Sequence, residues 1–153
     1  MDEQGALVPA PPSVVLDTNT VLDMLLFVDP CTRILTTAVA AGRLRWIATP
    51  RMRDELLGVL RRPRMGRWAP PEAAGPVLAF AEQWMRMQET PPAGAGPTCR
   101  DPADQPFIDL AWTHSAKWLL TRDKALLRLA RRARERGVTI CPPAAWSDLP
   151  DGP

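Results

Sequence analysis

Short runs of adjacent apolar residues alternate along the chain with stretches in which apolar positions recur every three or four residues. The first kind predicts buried strands and the second amphipathic helices. Val14 to Asp17 is bounded by Pro12 and a polar turn and reads as a first strand. Thr20 to Phe27 reads as one or two helical turns, and Thr32 to Ala41 as a helix ended by Gly42. Arg45 to Ala48 is a second strand. Thr49-Pro50 then caps a helix that runs to about Arg62, where Pro63 stops it. Residues 63 to 71 form a basic loop, followed by a helix from Glu72 to about Glu89 and a Pro/Gly connector over 90 to 98. Asp101 to Ala116 is a helix and Lys117 to Thr121 a strand. Lys124 to Arg136 is an arginine-rich helix closed by Gly137, and Val138 to Cys141 a last strand. Strands alternating with helices predict an α/β layer fold with a mostly parallel sheet.

Ligands of such sheets sit beyond the carboxyl ends of the strands, and two of these strands end in or near an acid, at Asp17 and Asp123. Each could be a helix cap. Asp17 could equally be a nucleophile or a metal ligand, because Thr18, Asn19 and Thr20 offer caps of their own. On the helix after Thr49, the apolar face is Met52, Leu56, Val59 and Leu60; Glu55 flanks it and Asp54 points away. On the helix after Asp101, Asp104 projects with Phe107, Ile108, Leu110 and Ala111, whereas Asp109 falls on the outer, solvated side. Asp101-Pro102-Ala103-Asp104 also resembles a capping box with Asp101 as the cap, so Asp101 is read as a cap and not a ligand. Thr121 can supply a hydroxyl to the pocket around Asp123. Carboxylates brought within about 4–6 Å of one another call for a cation, and Mg²⁺ or Mn²⁺ suits oxygen ligands.

Composition narrows the chemistry further. The 153 residues are 46% apolar and 24% charged, the balance of a globular protein. No apolar run reaches the length of a membrane helix, and the acidic, proline-rich start does not read as a signal peptide. Residues 1 to 12 are expected to be a disordered lead-in, 13 to 148 one domain and 149 to 153 a tail. Cys31, Cys99 and Cys141 lack metal-ligand spacing and read as reduced thiols of a cytoplasmic protein. His114 is the only histidine, which removes zinc-hydrolase and paired-histidine ribonuclease sites; it reads as packed against its helix's apolar face. Net charge is +2, yet the basic residues are arginine save Lys117 and Lys124, so an acidic pocket would sit in a basic surface. Arg64, Arg67 and Trp68 combine charge with an aromatic and suit single-stranded RNA. Arg128, Arg131, Arg132, Arg134 and Arg136 read as a solvated helix face, and Trp84, Met85 and Met87 as core or an apolar patch for a partner.

Four stretches, "VVLDTNTVLDMLL", "RDELLGVLRRP", "RDPADQPFIDLA" and "WLLTRDKALL", resemble in that order the PIN domain, over about residues 13 to 146. They are most similar to the subfamily of bacterial toxin–antitoxin components related to VapC-type toxins. The resemblance implies a PIN-like α/β/α sandwich with a short, mostly parallel sheet and a Mg²⁺- or Mn²⁺-dependent ribonuclease activity. It implies catalytic roles for Asp17, Glu55, Asp104 and Asp123, with metal held by Asp17, Asp104 and Asp123 and water oriented by Glu55. Asn19 and Thr121 match pocket-shaping positions. Arg122 stands where many relatives have glycine, and can pair with an acid or with an RNA phosphate. Implied partners are RNA, a cognate antitoxin and a second copy of the chain, with no membrane. Two other readings stay open. One is a non-catalytic PIN-like module that binds RNA or protein. The other is a phosphatase of the haloacid-dehalogenase type, against which Asn19 counts, since that chemistry needs a second aspartate there.

Overall fold

Strand β1, Ser13–Leu16, lies at the centre of a five-stranded sheet. The computed structural model describes residues 10–62 and 71–147, so the expected lead-in over its first nine residues, the basic loop and the tail lie outside the described residues. The other strands are β2 Arg45–Ala48, β3 Met85–Met87, β4 Trp118–Leu120 and β5 Thr139–Cys141. Their order is β3-β2-β1-β4-β5, and every pairing is parallel. β1 pairs with β4 through Val14↔Trp118 and Leu16↔Leu120, which sets the ends of the two strands side by side.

An all-parallel sheet needs cover on both faces, because its strands are apolar on both sides. Val14 and Leu16 point into one core and Val15 into the other, the period-two alternation of a strand. Helices α1 Thr18–Leu25, α2 Arg33–Ala40 and α4 Ala74–Trp84 fill the first core with Leu22, Leu35, Val39 and Val77. Helix α3, Pro50–Leu60, adds Leu56 and Val59 to it and sends Met52 to the opposite side. The second core is built on α5 Gln105–Thr113, with Phe107, Ile108 and Leu110, and on α6 Lys124–Leu127 and α7 Ala130–Arg134. Each fully buried leucine, isoleucine or phenylalanine contributes roughly 1.5–3 kcal/mol. The result is an α/β layer fold with a parallel sheet, as the alternation of elements predicts, in the α/β/α form that the resemblance implies.

Several boundaries differ from the sequence reading. The helix expected to continue to Glu89 stops at Trp84, and Met85–Met87 peels off as the edge strand β3 beside β2. Apolar residues over Leu78 to Met87 satisfy both periods, so the pattern alone cannot separate a last helical turn from a short strand. The arginine-rich helix is two short pieces, Lys124–Leu127 and Ala130–Arg134, with the break at Arg128 and Leu129. The five arginines on or beside them are exposed, and Arg136 stacks over Trp112 at 5.3 Å. Gly42 and Gly137 do end their helices, at φ 76° and 82°, the left-handed backbone that a helix stop favours.

Candidate functional site

The chain leaves β1 toward β2 on one side, while β4, on β1's other side, leads on to β5. The sheet therefore changes winding direction between β1 and β4, and a cleft opens at their carboxyl ends. Asp17 stands at the end of β1. Its carboxylate caps α1 by accepting the Thr20 N–H at 2.9 Å, so the cap seen in the sequence is real. The other oxygen accepts the Thr121 hydroxyl at 2.5 Å. Asp17 is 4% exposed, and burial pushes its carboxyl above the ordinary value, with the bonds from Thr121 and Thr20 opposing that rise.

Thr121 joins the two strand-end acids. It is fully buried just past β4, donates to Asp17 and accepts the Asp123 backbone N–H at 2.9 Å. Asp123 in turn caps α6 through the Ala125 N–H at 2.8 Å. Thr121→Val is expected to keep the shape but strip both bonds, costing about 1–3 kcal/mol. Urea unfolding checks this: Thr121→Ser should recover most of the loss, and a Val variant as stable as wild type would contradict the arrangement.

The third acid comes from the turn before α5. Asp104 is the residue preceding that helix, yet its side chain caps nothing. Its Oδ2 is buried without a hydrogen-bond partner. Asp101, Asp104 and Asp123 each bring a carboxylate oxygen into a group whose atoms all lie within 4.8 Å of one another. Among the described residues no lysine or arginine pairs with any of the three. Burial pushes the Asp104 carboxyl up to about 7, and the Asp123 carboxylate beside it adds to the rise, followed by Asp101 and Asp17. Asp101, which sequence reasoning assigned to capping alone, does cap the turn through the Ala103 N–H at 3.0 Å and also joins this group. Its signal was present in the spacing, since two acids three residues apart on one turn can face the same way.

Asp17, Glu55, Asp104 and Asp123 line one cavity of about 420 Å³, together with Thr18, Asn19, Val59, Arg62, Ala103 and Phe107. Glu55 reaches it from the flank of α3, where the wheel placed it, and accepts the Thr18 hydroxyl at 2.6 Å. Asn19 is an exposed part of the rim. Arg62, which lies in the arginine-rich stretch read from the sequence as suiting RNA, is the one basic residue among the described lining residues, and it has no ion pair among the described residues. The cavity suits a divalent cation on its own chemistry: hard oxygen donors only, uncompensated negative charge and one orphaned buried oxygen.

Arg122 pairs with an acid, Asp23, whose carboxylate accepts its Nε at 2.7 Å and Nη2 at 3.1 Å. Arg64, Arg67 and Trp68 lie outside the described residues. Two assignments need correction. His114 is exposed and does not pack on the apolar face of α5: the helix ends at Thr113 and His114 is its C-cap. Asp109 is buried at 4% and is not solvated: the 90–98 connector covers the outer face of α5, and Asp109 accepts the Gly94 and Gly96 N–H groups and the Gln105 side-chain amide. A helical wheel knows only its own helix.

Among the described residues no helix is long and apolar enough to cross a membrane, and Cys31, Cys99 and Cys141 are all free thiols. In comparison with known proteins, the PIN domain family profile matches residues 13–125. No curated protein and no solved structure gives a significant match.

Proposed function

The chain belongs to the PIN domain family, and from that premise we propose that it is a divalent-metal-dependent ribonuclease that hydrolyses RNA phosphodiester bonds at the Asp17–Asp123 cleft. PIN domains are generally nucleases, and the acidic group stands where such chemistry needs it. The observation that carries the reading is Asp104 Oδ2, buried and unpartnered within a group of three carboxylates that no described base neutralises. An acid held in that state without a cation would be a standing cost to the fold.

Asp104 and Asp123 would hold the ion with Asp17, which lines the same cavity, and Asp101 brings its carboxylate beside those of Asp104 and Asp123. A bound Mg²⁺ or Mn²⁺ would supply Lewis acidity toward water and phosphate. The chain's own residues do the rest. Glu55, oriented by the Thr18 hydroxyl, takes the proton of the attacking water. Thr121 keeps Asp17 and Asp123 in fixed relation. Arg62 offers its guanidinium to the RNA phosphate at the rim.

The finer assignment within this reading is the toxin of a toxin–antitoxin pair, acting in the cytoplasm and neutralised by its antitoxin. Its support is the set of four motifs in the chain. Expression should arrest growth of a bacterial host, co-expression of the neighbouring antitoxin frame should relieve the arrest, and Asp17→Asn should be harmless. In vitro, wild-type protein with Mn²⁺ should cleave RNA and Asp17→Asn should not. Full cleavage by a folded Asp17→Asn protein would overturn the nuclease reading. Failure of the wild type to bind Mn²⁺ at millimolar concentration would favour a non-catalytic PIN-like module.

A further inference from the structure

A second cavity, of about 380 Å³, lies on the other side of the turn that carries Asp101 and Asp104. The start of α3 supplies Arg51, the connector supplies Pro91 and Thr98, the turn before α5 supplies Pro102, and the start of α5 supplies Gln105 and Pro106. The cavity is preformed. Asp109 Oδ2 accepts the Gly94 N–H at 2.9 Å and Oδ1 the Gly96 N–H at 2.8 Å. Gln105 accepts the Cys99 N–H at 2.7 Å and donates to the Pro97 carbonyl at 3.0 Å. A Cβ on Gly96 would come within 3.1 Å of the Ile108 carbonyl and 3.2 Å of Trp112, so the connector lies pressed on α5 and only glycine fits there without a shift. A wall tied down at these points loses little freedom when a ligand arrives.

The position of the cavity says what it takes. Pro102 lines it, while the next two residues, Ala103 and Asp104, line the acidic cavity. One stretch of backbone therefore walls both spaces, and the second cavity lies beside the acidic one. Flat proline and alkyl walls accept the face of a base, the hydroxyl of Thr98 can serve its edge, and the volume falls in the range of small-ligand pockets. Arg51 is exposed at the same cavity and has no ion pair among the described residues, which leaves a cation free for a phosphate.

We infer that this cavity is a nucleobase pocket for the RNA residue next to the scissile phosphate, an inference that rests on the ribonuclease reading above. It makes the enzyme selective for sequence at one position beside the cut.

The test is binding, kept separate from turnover. The full chain in EDTA is titrated with AMP, CMP, GMP and UMP and followed by backbone amide NMR. At least one nucleotide should bind, with shifts centred on Ala93, Thr98 and Cys99 and not on Asn19. Ala93→Trp, at an exposed lining position, should fill the space and weaken that binding about tenfold, the equivalent of about 1.4 kcal/mol. Arg51→Gln should weaken it about threefold, and both variants should keep dispersed, folded spectra. Absence of binding by all four nucleotides, shifts confined to the acidic cavity, or an Ala93→Trp protein that binds as wild type does would each overturn the inference. If RNA is not cleaved with Mn²⁺ while a nucleotide binds here, the nuclease reading falls and the pocket stands. If RNA is cleaved with no base preference and no shift at Ala93 or Thr98, the pocket falls alone.

Discussion

Asp104→Asn is expected to lower metal-dependent RNA cleavage about a hundredfold or more, and at the same time to raise the melting temperature of the metal-free protein. The first effect follows from removing a donor of the group Asp101, Asp104 and Asp123; even changes one step removed from a metal ligand cost about 10–100-fold. The second follows from linkage. The folded-state carboxyl of Asp104 is raised from 3.8 to about 7 by burial and by Asp123, so the folded state binds its proton more tightly than the unfolded state does. At pH below the ordinary carboxylate value both states are protonated and the group has no net effect. As pH rises toward about 7, the unfolded chain ionises freely and the folded one resists, and stability falls. Above about 7 the loss is complete. Asparagine imitates the protonated acid at every pH. Melting curves in EDTA should therefore coincide for wild type and Asp104→Asn in acid, separate through that window, and differ by a constant few degrees above it. Saturating Mn²⁺ should raise the wild type and leave the variant unmoved. Equal melting temperatures at pH 8 in EDTA would show that Asp104 is not held under strain by its neighbours.

Asp109→Ala should be the most damaging single change on the outer face of α5. Three hydrogen bonds end on this buried carboxylate, at 2.8 to 2.9 Å, and together they pin the connector that closes the second core and shapes the neighbouring cavity. Bonds to a charged group are worth about 1.5–3 kcal/mol, and a stranded amide adds to the loss, so a total near 3 kcal/mol is expected. In a domain of this size that lowers the melting temperature on the order of 10 °C. Thermal unfolding measures the size, and amide hydrogen exchange the place: Gly94 and Gly96 should lose protection first. Asp109→Asn should fall between wild type and alanine, because one amide oxygen still accepts. A melting temperature unchanged in Asp109→Ala would mean that the connector holds itself.

How much of this was legible depends on the distance over which each feature is decided. Helix stops at Gly42 and Gly137, the cap at Thr49 and the strands at Val14, Trp46, Leu119 and Ile140 follow from neighbours a few residues away, and the structure has them where the pattern put them. β3 was not legible, since its three residues are a strand only because β2 lies alongside. Asp109 was misread for the same reason: the chain that buries it arrives from 13 and 15 residues upstream. Asp101 was visible as a cap, which it is, but its place beside Asp123 is a contact between segments more than twenty residues apart.

By itself the sequence determined the layered α/β architecture and the strand-end positions of Asp17 and Asp123, because apolar period, β-branching, proline and glycine act locally on the backbone. It also carried the PIN resemblance, through four motifs in order. Only the tertiary structure decided which acids meet. The winding reversal between β1 and β4 brings the ends of those strands together, Thr121 ties Asp17 to Asp123, and the turn before α5 leaves Asp104 half-buried with its Oδ2 enclosed and unpartnered. Charge repulsion within that group depends on separations in space, and a linear pattern of residues does not contain them.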